Sequence, residues 1–421
     1  MAKELCKSKV PLKVKVEYGP TIRTFDVVKE PVPHIVVEGS RKELHGWWPG
    51  KRECTAERML INPYNGCTHN CLFCYAHAFW GYFQIFRKHR VVTVFRDFDE
   101  AIARQLDSLN VVSCGYLSPV TDPFQPINEK YHLSEKIIKV FTDRNIPIEF
   151  ITKGTVSDEV IELIRRQSHS FGQVSILTVD DDLRRRLVPG GATTEELFDN
   201  LKRLTQSGVH TVCRMDPIIP LITDGEENLI QLVSRAASAG ARHIVTSCMD
   251  IPWKIKKEVV EELSAINPEV GRKYPGLYTE EIDGYLNADI NYRRKLFSKV
   301  RELCDGHGLT FALCMEYQLV DGRPIGLNKD FMTSVNCEGM DIPIYIRKGE
   351  KFEPATDCSG ACLTCVEARC GIDDLAMGRE GGPPQGEVAR GTRRIGKKDW
   401  KLEDYRRWSK QILGQRQEKL F

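Results

Sequence analysis

The spacing of hydrophobic and polar positions changes character twice along the chain. Residues 1–56 alternate apolar and polar positions in VPLKVKVEYG and carry the short apolar run HIVVEG, which predicts edge strands or a small N-terminal cap. Over 57–320, short β-branched or aromatic runs (MLINPY, VVSCGYLS, IPIEFITKG, QVSILTV, HTVCRMDPII, RHIVTSC and GLTFALCM) each predict a buried strand. Between them lie amphipathic stretches such as FDEAIARQLDSL, LSEKIIKVFTDR, TTEELFDNLKRLTQSG and INYRRKLFSKVRELCDGHG, which read as helices. Parallel strands need crossovers, the crossovers are right-handed, and repeated βα units close into a full or partial barrel or form an open sheet. The alternation ends near residue 320. A Cys-rich module at 321–377 follows, and then the Gly/Pro-rich GREGGPPQGEVARG and a basic aromatic tail within 378–421.

Composition narrows the class. The 421 residues carry 60 Lys+Arg against 58 Asp+Glu, so no global field draws the chain to nucleic acid or membrane. A hydrophobic content of 41% with 28% charged residues excludes wholesale disorder. No apolar run approaches the roughly 18–20 residues that span a bilayer, and MAKELCKSKV lacks the apolar core of a secretory signal. The expectation is a cytoplasmic protein with no membrane partner. Locally the balance differs: from Arg390 to Phe421 there are 11 Lys/Arg against 4 Asp/Glu, interleaved with Trp400, Tyr405 and Trp408. Such a tail either binds phosphate backbones while its rings stack on bases, or docks as a helix by its aromatic face.

Fifteen cysteines in a long chain of this kind favour metal or redox chemistry over a disulfide scaffold. Cys67, Cys71 and Cys74 lie in GCTHNCLFCY, and Cys358, Cys362, Cys365 and Cys370 lie in DCSGACLTCVEARC. The other eight are scattered, and a buried small hydrophobe is their default role. The first window, C-x3-C-x2-C, directly follows a predicted strand, where a barrel carries its functional loops. Three thiolates can hold a [4Fe–4S] cubane and leave one iron open for an external ligand. Zinc is the competing reading, with His69 or His77 as the fourth ligand.

On these residues the chain resembles the radical S-adenosylmethionine (radical SAM) superfamily, whose signature is C-x3-C-x2-C with an aromatic residue, here Phe73, before the last Cys. NPYNGCTHNCLFCYA, followed by LSPVTDPFQP, FITKG and DPIIP at successive strand ends, is similar more narrowly to the spore photoproduct lyase-like branch. The resemblance covers roughly residues 57–320. It implies an α/β fold, a partial (β/α)6 TIM-like barrel, in which Cys67, Cys71 and Cys74 hold the cluster and S-adenosylmethionine chelates the open iron. It also implies reductive cleavage of that cofactor to a 5′-deoxyadenosyl radical, hydrogen abstraction from a substrate, and an electron donor of ferredoxin or flavodoxin type. By the same resemblance, Ser118 and Asp122 belong to the segment that meets the methionine amino group, with Asp122 the expected acceptor. Lys153, Ser175 and Arg214 stand where they can meet the carboxylate or ribose hydroxyls, and Phe73 meets the adenine.

The second window, C-x3-C-x2-C-x4-C, supplies four thiolates and predicts a closed site: a ferredoxin-like auxiliary [4Fe–4S] cluster, or structural zinc. Cys337 is near enough in sequence to replace one ligand. Spore photoproduct lyases lack this C-terminal module, so the reaction stays open. The branch resemblance and the basic tail point to nucleic acid as the substrate. A peptide or small metabolite modified with help from the second cluster is the alternative, and a non-catalytic iron–sulfur sensor is a third. Cys248 and Cys314, at strand ends, are candidate hydrogen donors, with Tyr116, Tyr317 and Trp253 as aromatic partners.

Overall fold

Each of the seven apolar runs named above within 57–320 forms a strand of one parallel sheet. In the computed structural model, which describes residues 10–18, 21–46, 58–79, 81–362, 365–376 and 401–418, these strands are β1 (Arg58–Ile61), β2 (Cys114–Leu117), β3 (Ile148–Thr152), β4 (Phe171–Ser175), β5 (His210–Ile218), β6 (His243–Cys248) and β7 (Thr310–Leu313). Every neighbouring pair is parallel and the spatial order follows the chain order, which short right-handed crossovers dictate. The two edges are β7 and the short strand His45–Gly46, which pairs antiparallel with β1. The result is a partial barrel of six β/α units extended by a seventh strand. Cys6, Cys54, Trp400 and the expected linker 378–400 lie outside the described residues.

Helices α1 (Phe98–Asp107), α2 (Leu133–Asp143), α3 (Asp158–Ile164), α4 (Thr194–Gln206), α5 (Glu226–Ser238) and α6 (Ile290–Gly306) make the crossovers. Their starts are set locally. Ser157 accepts from Val160 N, Thr193 and Glu196 form a capping box, and Asp289 accepts from Asn291 N and Tyr292 N. α4 buries Leu197, Leu201 and Leu204 at helical spacing, and it approaches β4 closely because Gly172 has no Cβ to strike Leu204.

Since successive strand residues face opposite ways, the barrel interior takes every second residue. On β4 these are Phe171, Gln173 and Ser175. Gln173 joins a buried polar chain across the strands. Arg58 Nε donates to Glu149 Oε1 (3.1 Å), Gln173 Nε2 donates to Glu149 Oε2 (2.5 Å), and Arg214 Nη1 donates to Gln173 Oε1 (2.9 Å). Arg214 then pairs with Asp216, which accepts from Ser247.

The segment after β7 turns back under the N-terminal end of the barrel. Ile342 packs there with Cys114, Phe171, Val212 and Val245, residues from the first half of their strands. The four-cysteine module docks on this underside: Ile342 N donates to Ser359 O, and Gly360, at φ +79°, lies so close to Ile342 O that any side chain would collide. Finally, α7 (Leu402–Glu418) buries Leu402, Tyr405, Trp408 and Ile412, and Ser409 Oγ accepts from Asn110 N at 2.7 Å. Of the two readings of the tail, Tyr405 and Trp408 follow the docked helix, while Trp400 lies outside the described residues. Tyr405 and Trp408 are 0% and 1% exposed, so burial of their apolar area has consumed the rings that would have stacked on bases. No helix among the described residues is long and apolar enough to cross a membrane.

Candidate active site

The loop after β1 brings Cys67, Cys71 and Cys74 to the C-terminal mouth of the barrel, each partly exposed. Its shape is fixed from both sides. Thr68 N donates to Gln125 Oε1 and Gln125 Nε2 to Gly66 O, both at 3.1 Å, while Leu72 N reaches Leu187 O and Gly190 N reaches His69 O. Gly190 is required there, because a Cβ would come within 2.2 Å of Thr68 O. Asn70, at φ +50°, accepts from Arg90. Burial raises all three thiols, Cys71 to about 12, and the Lys153 ammonium opposes the rise at Cys71 and Cys74.

The resemblance placed six cofactor contacts, and the structure separates them. Ser118 and Ser175 are each 2% exposed, and neither hydroxyl has a hydrogen-bond partner. Lys153 is half-buried, 6.0 Å from the centre of the Phe73 ring, and makes no ion pair among the described residues. The Phe73 ring is 8% exposed and packed in the core, so its backbone rather than its face is offered to a ligand.

Asp122 differs from the expectation. Phe124 N (2.9 Å) and Thr152 Oγ1 (2.9 Å) donate to Oδ1, Lys153 N (2.7 Å) donates to Oδ2, and His69 Nδ1 lies 3.2 Å from Oδ2. Burial opposes its ionisation, but His69 and these donors prevail and hold the carboxyl below its ordinary value. A carboxylate so filled with protein donors ties the β2 and β3 loops to the cysteine loop and has little capacity left for a ligand amine. Arg214 is similarly occupied, by Asp216, Gln173 and the Cys314 thiol at 3.0 Å.

Among the other candidates, Cys314 is half-buried on the cavity wall beside Arg214, whereas Cys248 is 3% exposed within the core. Tyr116 is half-buried, Tyr317 is buried, and Trp253 is 46% exposed on the rim. Sequence reasoning passed over Gln125, Tyr75 and Asp216, and weighed His69 only as a zinc ligand rather than as a partner of Asp122. Asp216 was visible as a charge set in the apolar run HTVCRMDPII.

Cys358, Cys362, Cys365 and Cys370 occupy the opposite end of the barrel. Cys358 and Cys365 both act on Cys370, whose thiol burial pushes up to about 11. Cys337 has another role: it packs with Ala312 and Met332 and donates to Glu338. Among the described residues no group of three or more His, Cys, Asp or Glu side chains is gathered as a single metal ion requires. A cubane demands a looser set, because each of its irons takes its own thiolate. Three thiols on one loop, a cation acting on two of them, and unpartnered hydroxyls at two strand ends therefore fit a cluster with a polar, carboxylate-bearing cofactor.

Comparison with known proteins agrees. Residues 61–233 match the Radical SAM superfamily. A radical SAM Nα-GlyT isomerase of Pseudomonas phage M6 is 27% identical over 370 residues, covering 81% of this chain and 75% of that protein. An uncharacterised protein of Mycobacterium tuberculosis is 25% identical over 234 residues, 52% of this chain and 67% of its own. Among solved structures, a cysteine-to-serine variant of spore photoproduct lyase superposes with a TM-score of 0.50 at 15% identity, over 66% of this chain and 81% of that one, a likeness of fold. Residues 61–233 carry a Radical SAM superfamily domain, and the chain is an enzyme of radical chemistry built on a fold like that of spore photoproduct lyase.

Proposed function

We propose that this enzyme binds a [4Fe–4S] cluster through Cys67, Cys71 and Cys74, binds S-adenosylmethionine beside it, and rearranges or cleaves a bond on a nucleic-acid substrate. The observation that carries this reading is a loop of three thiols with the Lys153 ammonium, which has no counter-ion among the described residues, acting on two of them, together with two buried hydroxyls at strand ends that lack partners. When bound, cluster and cofactor together supply one-electron cleavage to a 5′-deoxyadenosyl radical able to abstract hydrogen from carbon. The residues bind and orient. Lys153 pairs with the methionine carboxylate, and the Ser118 and Ser175 hydroxyls bond to the cofactor's polar atoms. Asp122 holds the Lys153 backbone against the cysteine loop, and the packed barrel keeps water out.

The substrate class rests on the resemblance of the cysteine-loop and strand-end motifs to the spore photoproduct lyase-like branch, and the phage relative, an isomerase, supports rearrangement as the kind of reaction. The basic tail no longer supports it. The four-cysteine module is read as a second metal site, a [4Fe–4S] cluster ahead of zinc. Its position under the barrel argues against direct contact with a substrate at the mouth, and so against its use in binding a peptide or metabolite there. A ferredoxin- or flavodoxin-type donor supplies the electron.

The test is anaerobic reconstitution followed by dithionite. Wild type forms 5′-deoxyadenosine, and Cys71→Ala lacks about four iron atoms and forms none. Cleavage by the variant at the wild-type rate would refute the assignment.

A further inference from the structure

The chain that leaves the cysteine loop is unlike the rest of the sequence in charge. From Cys67 to Arg96 it carries four Lys/Arg and no Asp or Glu, where the composition of the whole protein would place about four acidic residues. It is also aromatic. The turn Tyr75–Ala78 starts directly after Cys74, and the helix Tyr82–His89 follows. The rings of Tyr75 and Phe79 meet edge to face at 5.5 Å and those of Phe79 and Phe83 at 5.9 Å, so three rings run in a row from the cysteine loop onto the helix. Gln84, one turn before Lys88, donates to Phe79 O, which places Lys88 beside this row rather than behind the helix.

A second element completes the face. After β6 the chain leaves the barrel, and Trp253–Ile255 packs against the turn Tyr75–Ala78. Arg87 pairs with Glu258 and donates to His77 O, which ties helix, insertion and turn together, and Arg90 Nη1 donates to Asn70 Oδ1 at 2.7 Å, which fixes the helix end to the cysteine loop. Trp253 N donates to Gly284 O at 3.2 Å, and Lys256 Nζ lies 4.7 Å from the centre of the Trp253 ring.

What this fixed face leaves open is particular. Tryptophan is highly buried on average, yet Trp253 is 46% exposed, and Tyr75, on the turn in contact with it, is 40% exposed although its hydroxyl is anchored to Pro119 O at 2.7 Å. Arg87 is neutralised by Glu258, whereas Lys88 and Lys256 make no ion pair among the described residues. Open rings flanked by unneutralised ammonium groups are complementary to a chain of planar bases joined by phosphates. In a duplex the base faces are covered by their neighbours, so stacking on these rings requires an unpaired strand.

We propose that this face binds single-stranded DNA beside the barrel mouth, with a base stacked on Trp253 and phosphates at Lys88 and Lys256. The proposal rests on the nucleic-acid reading above, whose motif resemblance favours DNA, and adds the form of the strand and the residues that hold it outside the cavity.

The test is fluorescence anisotropy with the full reconstituted chain and a labelled single strand of about twelve nucleotides, against a duplex and an RNA strand of the same sequence. Wild type is expected to bind the single strand at least about tenfold more tightly than the duplex. Trp253→Ala should weaken binding roughly 5- to 150-fold, the loss of one base–aromatic stack, and Trp253→Phe should restore most of it. The double variant Lys88→Gln, Lys256→Gln should reduce the slope of log affinity against log salt by about 1.4, about 0.7 for each phosphate contact, and it tests the face even where Trp253→Ala fails to fold. Tighter binding of the duplex or of RNA, a Trp253→Ala protein within about twofold of wild type, or an unchanged salt slope would each overturn the proposal. A strand bound in the expected way but left chemically unchanged by the reduced holoenzyme would support the docking face and refute nucleic acid as the substrate. A strand that is altered, yet bound equally by Trp253→Ala, would refute the face alone, so the two fail separately.

Discussion

Replacing Ser175 with alanine separates a ligand-binding hydroxyl from a structural one. The side chain is 2% exposed and its oxygen has no partner. A buried polar group left unsatisfied costs about 1–3 kcal/mol, so removing it from the cofactor-free protein relieves a penalty while losing only one atom's packing contacts. The expected change in unfolding free energy is a gain of about 0.5–1 kcal/mol, read from the urea midpoint of the cofactor-free chain. With S-adenosylmethionine bound, the same hydroxyl has a partner worth about 1–1.5 kcal/mol, so the variant should bind the cofactor roughly tenfold more weakly by anaerobic equilibrium dialysis. Stability and affinity thus move in opposite directions. If Ser175→Ala lost more than about 1 kcal/mol of stability and kept full cofactor affinity, the hydroxyl would belong to the scaffold and the assignment would fail.

Asp122→Asn should cost about 3–5 kcal/mol by urea unfolding, because either orientation of the amide turns an NH2 toward the N–H of Phe124 or of Lys153; a loss below about 1 kcal/mol would show that the carboxylate is dispensable. Cys362→Ala should remove about four iron atoms while Cys71 chemistry persists, whereas loss of about one zinc would decide for the closed zinc site. His243, 0% exposed, bonds Thr310 Oγ1 and Cys337 O and is held down to about 4, first by burial and then by neighbouring His210 and Arg214. Its folded value lies below the unfolded one of about 6.5, so its contribution is complete above that pH and is lost on acidification towards pH 4, amounting to about 3 kcal/mol. Urea midpoints of wild type and His243→Gln should therefore converge as pH falls from 6.5 to 4, and parallel curves would exclude the histidine as the cause.

The strands were legible because a sheet covered on both faces writes itself as near-continuous apolar runs, and all seven did so. The cysteine loop was legible because its ligands are local. Asp122 was legible as a site residue but not in its role, since the partners that fill it come from the cysteine loop and from β3, and only folding brings these together. Trp408 illustrates the reverse case. A basic helix with aromatic rings has the same composition whether the rings face solvent or the core, and the Ser409 bond to Asn110 N spans 299 positions of sequence. The four cysteines declared a site but not its end of the barrel, which depends on how the segment after β7 turns beneath the strands.

The polar chain through the barrel bears on how these pieces act together. Arg58, Glu149, Gln173, Arg214 and Asp216 come from four strands and replace what would otherwise be apolar interior layers. Buried ion pairs contribute little net stability against a well-packed apolar core, and removing one partner is far worse than replacing both. Their value here is positional. Each guanidinium nitrogen of Arg214 has a fixed acceptor, and Asp216 is held by Arg214 and Ser247, which fixes both side chains at the floor of the barrel.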